Sequence, residues 1–258
     1  MSPNVSLIPD VGSSVPPRDA MSRHVPLCMG LMLLAVTSSS GFQQAPVANA
    51  GNPSTLEDFR AGDIKREPFQ KATELLAALD VAKGDWVADV GAGAGYYSMR
   101  LSEMVGPDGK VFAEDISNAA MEWLSARVRV FNLRNMEVVK GESNDPKLAT
   151  DRLAGVLIVD TYHHFTDYPA MLDKVFHALK PGGRLVIADY GFVEHRARSR
   201  SEQVKLHEID PALVQRELTE AGFAVSKCED PFVKWVPGVG NTRSSATDLW
   251  LIVAVRPK

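Results

Sequence analysis

Residues 87–101, which read VADVGAGAGYYSMRL, decide the fold. A short apolar run is followed by glycines at positions 91, 93 and 95 and then by the beginning of a helical segment. A glycine-rich turn between a buried strand and a helix lets a ligand approach the backbone closely, because glycine carries no Cβ atom. The stretch therefore predicts a strand, a ligand-binding turn and a helix.

The segments that follow alternate between strand and helix patterns. Strands are predicted at residues 86–91, 110–117, 136–140, 154–160, 184–190, 224–229 and 248–255. Helices are predicted at residues 68–81, 97–105, 119–132, 168–179 and 211–222. This alternation favours a doubly wound α/β fold with a mostly parallel sheet and its ligand at the carboxyl ends of the strands. The last two strands lack a helix between them and suit an antiparallel hairpin at the sheet edge.

Length and charge narrow the class of protein. The chain has 258 residues and a net charge of −4. It therefore has no global basic field that could hold nucleic acid or an acidic membrane surface, and we expect no nucleic-acid partner. Because no repeat or long low-complexity segment appears from residue 55 onward, residues 51–258 are predicted to form a single domain. The oligomeric state stays open.

The N-terminal residues have the composition of a leader. Residues 1–20 are rich in Pro, Ser and Asp, and we expect them to be disordered. Residues 21–50 have the layout of a secretory signal peptide, with Arg23, an apolar core at 25–36 and the cleavage pattern Ala48-Asn49-Ala50. The apolar core is too short to span a membrane. We expect an exported or periplasmic protein without stable membrane insertion. An uncleaved anchor or a disordered tail is the alternative for these residues, and a cytoplasmic location is the alternative for the protein.

Cysteine usage predicts neither a disulfide nor a metal site. Cleavage after residue 50 would remove Cys28 and leave Cys228 alone, so oxidation cannot form an internal bridge. Cysteine clusters of the kind that bind zinc or iron–sulfur centres are absent. No metal ion is therefore expected.

The glycine turn raises a dinucleotide site as one alternative. The G-x-G-x-x-G fingerprint would place its third glycine at position 96, where Tyr96 stands, whereas the third glycine is Gly95. Asp115 (or Glu114) lies about 20 residues further on, where a carboxylate binds ribose hydroxyls. Because any adenosine-ribose site shares that carboxylate, a nicotinamide-dependent oxidoreductase stays open but is disfavoured by Tyr96.

Four motifs in order, DVGAGAG, EDIS, VLIVDTYHHF and LKPGGRLVIADY, resemble those of the class I S-adenosylmethionine (SAM)-dependent methyltransferases. The resemblance covers about residues 69–255. Within that superfamily the chain looks similar to bacterial small-molecule methyltransferases that carry a DxYHH motif after the fourth strand. The resemblance implies a Rossmann-like methyltransferase fold, in which the last of seven strands is antiparallel, and SAM as the cofactor.

The resemblance also implies roles for individual residues. The cofactor-binding roles fall on Asp89, Gly91, Gly93, Gly95, Asp115, Glu142 and Asp160. Asp89 and the glycines would hold the methionine part, and Asp115 would accept both ribose hydroxyls, a bidentate task that suits a carboxylate. Glu142 falls where the family contacts adenine, and Asp160 would lie under the sulfonium and the acceptor. Alternatively, Asp89 and Asp160 cap strand ends, and Glu142 is a solvated loop carboxylate.

Two histidines are the candidates for acid–base catalysis, together with Asp160. A neutral hydroxyl acceptor needs a base, and histidine is the usual one near neutral pH. His163 and His164 follow the fourth strand directly. Because adjacent side chains alternate in direction, we expect only one of them to face the acceptor and favour His163, while His164 could cap the following helix. Both histidines could instead be structural.

The remaining features bear on the acceptor. Residues 191–207 form a cationic run that could recognise an anionic substrate, although a solvated mobile loop is favoured. The fourth strand lacks the Asn/Asp-Pro-Pro-aromatic motif of methyltransferases that act on nucleobase amines, and arsenic methylation would need several cysteines. A small organic acceptor is therefore predicted. Because SAM is a cytosolic metabolite, a non-catalytic exported protein that retains the fold is the alternative.

Overall fold

The computed structural model describes residues 56–64, 70–235 and 248–258. They lie within one unit, Ala48–Lys258. The predicted leader and signal peptide fall outside the described residues, as does the start of the helix predicted at residues 68–81. Within the described ranges, no helix is long and apolar enough to cross a membrane.

A seven-stranded sheet forms the centre of the fold. Its strands are β1 (Trp86–Val90), β2 (Lys110–Asp115), β3 (Met136–Lys140), β4 (Leu153–Val159), β5 (Leu179–Tyr190), β6 (Ala224–Val233) and β7 (Leu249–Val255). The strand order is β3-β2-β1-β4-β5-β7-β6. Strands β1 to β5 are parallel, and β7 lies antiparallel between β5 and β6. The doubly wound, mostly parallel sheet with an antiparallel last strand is confirmed.

Helices flank the strands along the chain. They are α1 (Leu56–Ile64), α2 (Ala72–Ala77), α3 (Tyr96–Val105), α4 (Asn118–Phe131), α5 (Tyr168–Ala178), α6 (Arg200–Lys205) and α7 (Pro211–Glu220), with 3-10 turns at Tyr162–His164 and Val193–His195. Asp167 caps α5 by accepting a hydrogen bond from the Ala170 N–H at 3.3 Å. The capping role considered for His164 therefore belongs to Asp167.

Two apolar layers cover the two faces of the sheet. One layer packs strand residues such as Val156 and Ile187 against α5 and α7, and the other packs strand residues such as Leu157 against α2, α3 and α4. All seven residues of β4 are buried, as expected for a parallel strand covered on both sides. Each fully buried aliphatic side chain contributes roughly 1.5–3 kcal/mol relative to an exposed one.

The strand order fixes where a ligand can enter. The chain runs from β1 outward to β3 and then returns to β4 on the other side of β1. The loops after β1 and β4 therefore diverge and leave a crevice at the carboxyl ends of these neighbouring strands. The glycine turn and the histidine motif follow these two strands, so the fold brings them to the same crevice.

Two parts of the chain differ from the sequence prediction. The LKPGG segment, which joins the predicted helix at 168–179 to the predicted strand at 184–190, belongs to β5: Leu179 pairs with Leu153, and the register shifts before Arg184 pairs with Gly155. Residues 191–207, favoured as a solvated loop, contain a 3-10 turn and α6, which Ser199 and Glu202 begin as a capping box.

Candidate active site

The three glycines after β1 have positive φ angles of 74°, 55° and 78° at Gly91, Gly93 and Gly95. They differ in what surrounds them. A Cβ atom on Gly91 would lie 2.2 Å from Thr161 Cγ2, and one on Gly95 would lie 2.8 Å from Leu124 Cδ2. A Cβ atom on Gly93 would meet nothing within 4 Å. Gly91 and Gly95 thus allow close packing of the protein, whereas the side of Gly93 on which a Cβ atom would stand faces open space that a ligand can occupy.

Asp115 at the end of β2 lies against this turn. Its Oδ2 accepts the Gly93 N–H at 3.0 Å, and its Oδ1 accepts the Ser117 N–H at 2.8 Å. The side chain is partly exposed, and each carboxylate oxygen retains capacity for a further hydrogen bond. Asp115 is therefore placed to bridge the glycine turn and a polar ligand in the crevice.

Glu114, the other carboxylate considered for the ribose, points elsewhere. It is 2% exposed, its Oε2 accepts the Gly91 N–H at 3.3 Å, and its Oε1 has no hydrogen-bond partner among the described residues. Burial raises the pKa of Glu114 to about 8, and the nearby carboxylates, Asp115 first, act in the same direction. At neutral pH, Glu114 is thus a neutral carboxylic acid that holds the glycine turn through the Gly91 N–H.

Asp89 lies on β1 just before the turn and is 2% exposed. Its Oδ2 accepts a hydrogen bond from the Ser98 hydroxyl at 2.5 Å. Ser98 belongs to the first turn of α3, so Asp89 ties the strand to the helix across the glycines. This contact agrees with the strand-end alternative and leaves the proposed role toward the methionine group untested.

A buried ion pair holds the turn from the helix side. Arg127 of α4 donates from both terminal nitrogens to Asp63 of α1, at 2.9 and 3.0 Å, and from Nε to the Ala94 carbonyl at 2.6 Å. Its side chain is 2% exposed. Arg127 therefore connects α1, α4 and the glycine turn, a link between residues far apart in the sequence that no local pattern indicates.

The end of β4 closes the other side of the crevice. Asp160 has a φ of 52°, and its N–H donates to the Ala188 carbonyl at 2.9 Å. The next residue, Thr161, donates from its hydroxyl to the Val159 carbonyl at 2.9 Å and lies 3.4 Å from the Gly91 carbonyl. The glycine turn and the residue that precedes the histidine turn therefore meet at the base of the crevice.

His163 is fully buried and held by Asp189 at the end of β5. Nδ1 lies 2.9 Å from Oδ1 and 3.1 Å from Oδ2, and the His163 backbone N–H also donates to Oδ2 at 3.0 Å. Because a carboxylate only accepts, this contact places a proton on Nδ1 and directs Nε2 away from Asp189. One carboxylate oxygen each from Asp160 and Asp189 and one ring nitrogen of His163 all lie within 4.8 Å of one another.

Asp189 is the functional candidate that sequence reasoning missed. It follows Ala188, which pairs with Val159, so Asp189 stands beside Asp160 at the same edge of the sheet. The ADY ending of β5 places an aspartate at this edge, but its contact with His163 depends on the pairing of β4 with β5. A buried aspartate on the histidine Nδ1 orients the ring and stabilises its protonated form.

The two histidines do not alternate in direction as expected. They lie in a 3-10 turn, and their ring centroids are only 4.0 Å apart. The extended backbone assumed for the alternation is absent there, which is why both rings fall on the same side. His163 is buried and His164 is exposed, and His207, from the end of α6, adds a third ring 5.6 and 5.3 Å from them.

Tyr162 of the same motif anchors the turn. It is fully buried, and its hydroxyl donates to Glu217 Oε2 of α7 at 2.6 Å. Burial, followed by the charge of Glu217, raises the pKa of Tyr162 well above its usual range, so the phenol stays neutral. Arg200 compensates Glu217 from the other side, with Nε 2.8 Å from Oε1. The tyrosine thus fixes the position of the neighbouring histidines.

Glu142 lies in the bend after β3, and 63% of its side chain is exposed. Its carboxylate forms an ion pair with Lys147 at 3.0 Å, which matches the solvated alternative; the proposed adenine contact stays a prediction. In the cationic run, Arg196 donates to both oxygens of Asp230, at 2.6 and 3.0 Å. Since Arg200 pairs with Glu217, two of the arginines considered for an anionic substrate are already neutralised.

Comparisons with known proteins point to a methyltransferase domain. Residues 87–183 match a protein family described as a methyltransferase domain. The demethylmenaquinone methyltransferase of Lactococcus lactis is 32% identical over 133 residues, which are 52% of this chain and 50% of that protein. The chain thus spans about half the length of the curated relatives it matches.

Solved structures share the fold. A SAM-dependent methyltransferase from Aquifex aeolicus superposes with a TM-score of 0.59 at 23% identity, over 76% of this chain and 97% of that one. A Haemonchus contortus phosphoethanolamine N-methyltransferase, bound to phosphomonomethylethanolamine and S-adenosylhomocysteine, gives 0.60 at 15% identity, over 79% and 58%. Residues 87–183 are therefore similar to a methyltransferase domain, and the chain shares its fold with solved SAM-dependent methyltransferases.

Proposed function

We propose that the protein is a SAM-dependent methyltransferase that transfers a methyl group to a small organic acceptor. The observation that carries the proposal is the open backbone at Gly93, held by Asp115 at the switch point of the sheet. The methyltransferase domain at residues 87–183 and the structural neighbours with bound SAM or S-adenosylhomocysteine support it. The nicotinamide alternative has no such support.

In this proposal the cofactor lies along the carboxyl ends of β1 and β2. The Gly93 turn and Asp89 hold the methionine part, Asp115 accepts the ribose hydroxyls, and Glu142 leaves Lys147 to reach the adenine. When bound, SAM supplies a methyl group on a positively charged sulfur. Asp160 lies at the end of β4, where its carboxylate faces that charge.

The acceptor side is formed by the histidine turn. Asp189 holds Nδ1 of His163, so Nε2 is the atom that can take a proton from a hydroxyl acceptor. The main contribution of the protein is alignment of acceptor and methyl group, which can supply several kcal/mol of the barrier. His164, the exposed neighbour, contacts the acceptor in this arrangement.

The cofactor assignment is tested by calorimetric titration with SAM, S-adenosylhomocysteine and NAD. We expect micromolar binding of the first two and no binding of NAD. Asp115→Ala should weaken SAM binding by roughly 1–3 kcal/mol, because two ribose hydroxyls lose their acceptor. Asp85→Ala is the matched control: Asp85 also accepts a loop N–H, from Ala82 at 2.8 Å, but precedes β1 at the opposite edge. A change below twofold for Asp115→Ala would refute the assignment.

The acceptor is tested by supplying labelled SAM with a panel of small organic molecules. Demethylmenaquinone belongs in the panel because the curated relatives are named for it. His163→Ala should lower turnover without altering SAM affinity, since His163 lies on the acceptor side. Unchanged turnover on an identified acceptor would return His163 to a structural role. If SAM binds and every acceptor fails, the non-catalytic alternative gains support.

A further inference from the structure

Three histidine rings converge beside the end of β4. The nitrogens that His163, His164 and His207 can offer to a metal all lie within 4.8 Å of one another. The first two come from the 3-10 turn, and His207 comes from the residues after α6, 43 positions later in the sequence. The segment after β4 and the segment after β5 thus bring imidazole side chains to one place.

One member of the group is already fixed as a metal-binding histidine usually is. Asp189 holds Nδ1 of His163 at 2.9 Å, so the nitrogen that His163 turns toward the cluster is Nε2. A carboxylate on the second ring nitrogen sets the tautomer and raises the basicity of the ligand nitrogen. Asp189 is fully buried and also accepts the Tyr190 N–H at 2.8 Å, so its orientation is fixed.

The position of His207 provides a second observation. Its φ is 57°, the left-handed region that residues other than glycine seldom adopt. Its N–H donates to the Val204 carbonyl at 3.0 Å, and the next residue, Glu208, donates to the Gln203 carbonyl at 3.1 Å. The end of α6 therefore holds this backbone in a strained conformation, of the kind that clusters at ligand sites.

We infer that His163, His164 and His207 form a three-histidine site for a divalent transition metal of the Zn²⁺ class. Imidazole nitrogens suit such ions, and three protein ligands leave a fourth position for water or substrate. Zn–N bonds of about 2.0–2.1 Å require ligand nitrogens about 3.3 Å apart. His164 and His207 are exposed and can close that difference by side-chain rotation while Asp189 keeps His163 in place.

Metal binding itself does not depend on methyl transfer. Only the use of the metal rests on the proposed function: its open position would hold an oxygen atom of the acceptor, and His163 would serve that step as a ligand rather than as a base. The proposed site differs from the expectation in the sequence analysis that the chain binds no metal ion. That expectation rested on the absence of cysteine clusters alone. The spacing of His163 and His207 in the sequence does not indicate that the fold brings them together.

The test is metal titration of the full chain after treatment with a chelator. Zn²⁺ is followed by calorimetry and Co²⁺ by its visible absorption, which is intense only in tetrahedral sites. All variants carry Cys28→Ser, Cys228→Ser and His24→Asn, so that thiolates and the leader histidine do not contribute. We expect one Zn²⁺ per chain with micromolar or tighter affinity and a tetrahedral Co²⁺ spectrum.

His164→Asn and His207→Asn change exposed residues and should each weaken Zn²⁺ binding more than about tenfold. Asp189→Asn should weaken it by roughly 10–100-fold through the orientation of His163. His177→Asn is the control: it alters an exposed histidine on α5, whose Nδ1 lies 2.8 Å from the Asp173 carbonyl oxygen, and should leave binding unchanged.

Absence of stoichiometric Zn²⁺ binding, or binding that survives either exposed-histidine substitution, would overturn the site. SAM titration of the same variants separates the two proposals. Zn²⁺ bound without SAM binding upholds the metal site and refutes the methyltransferase, whereas SAM-dependent transfer by a chain that binds no Zn²⁺ does the reverse.

Discussion

Glu114 is the residue whose protonation should most clearly affect stability. Burial raises its pKa from 4.5 to about 8, so between these values the folded chain retains a proton that the unfolded chain has released. Stability from this group is therefore fully present below about pH 4.5 and is lost as pH rises toward 8, by at most roughly 1.4 kcal/mol per pH unit. Urea unfolding across this range measures the slope.

The variant Glu114→Gln is compared with the natural chain to test this prediction. The neutral amide has the same shape, keeps an oxygen for the Gly91 N–H, and cannot ionise. We expect the variant to gain stability relative to the natural chain as pH rises. Glu122→Gln on the exposed face of α4 serves as the control and should leave the slope unchanged. Parallel pH curves for the natural chain and Glu114→Gln would contradict the assignment of a buried neutral acid.

Gly93 offers a second prediction at the residue scale, because its backbone faces open space. Gly93→Ala should weaken SAM binding by placing a methyl group in the cofactor crevice. Gly84→Ala is matched to it: both glycines have positive φ, 55° and 87°, and neither Cβ atom would meet anything within 4 Å. Both variants should lose about 1–2 kcal/mol of stability from left-handed backbone.

Only Gly93→Ala should also lose cofactor affinity in calorimetry, because Gly84 precedes β1 at the opposite edge of the sheet. Equal SAM affinity in the two variants would show that the open space at Gly93 is not the cofactor site. Gly91→Ala is less informative, since its Cβ atom would collide with Thr161 and destabilise the fold directly.

At the scale of elements, the ion pair between α1 and α4 should stabilise the glycine turn. Arg127→Ala leaves Asp63 buried without its cation and the Ala94 carbonyl without its donor. Removing one partner of a buried pair costs about 3–5 kcal/mol. Urea unfolding should show this loss, together with weaker SAM binding, because the turn loses its support from the helix side.

Arg184→Ala provides the comparison for that prediction. Arg184 pairs with Asp80 at 2.7 Å, but both side chains are exposed, at 37% and 69%. Exposed pairs contribute about 0–1 kcal/mol, so this variant should remain close to the natural chain in stability and in SAM affinity. Similar losses for the two variants would mean that burial does not distinguish these pairs.

The same elements show how far the sequence could predict the fold and the site. Apolar runs and glycine or proline stops predict β1, β4 and α5, because two-sided burial and helical periodicity are local properties. They also place Asp89, Asp115 and His163 at strand ends. The roles of Asp189, Arg127 and His207 were not predictable in this way, since each depends on contacts between residues 26 or more positions apart.

The predictions of short elements were wrong for a related physical reason. Because Tyr162–His164 form a 3-10 turn, the two histidine rings lie on the same side instead of alternating. Helix α6 forms from residues whose sequence resembles that of a loop. Segments of three to six residues have little intrinsic stability. Their conformation is set by tertiary anchors, here the hydrogen bond from Tyr162 to Glu217 and the ion pair of Arg200 with the same carboxylate.

At the scale of the whole molecule, two expectations oppose each other. The proposed cofactor, SAM, is a cytosolic metabolite, whereas residues 21–50 have the pattern of an export signal. We propose that the signal is used. Residues 1–50 fused to alkaline phosphatase, which is active only after export, should then give active enzyme. The double substitution Leu31→Arg/Leu34→Arg should abolish that activity, because each charge in the apolar core opposes insertion by about 2.5–3.5 kcal/mol. Active phosphatase from both fusions, or from neither, would contradict the proposal.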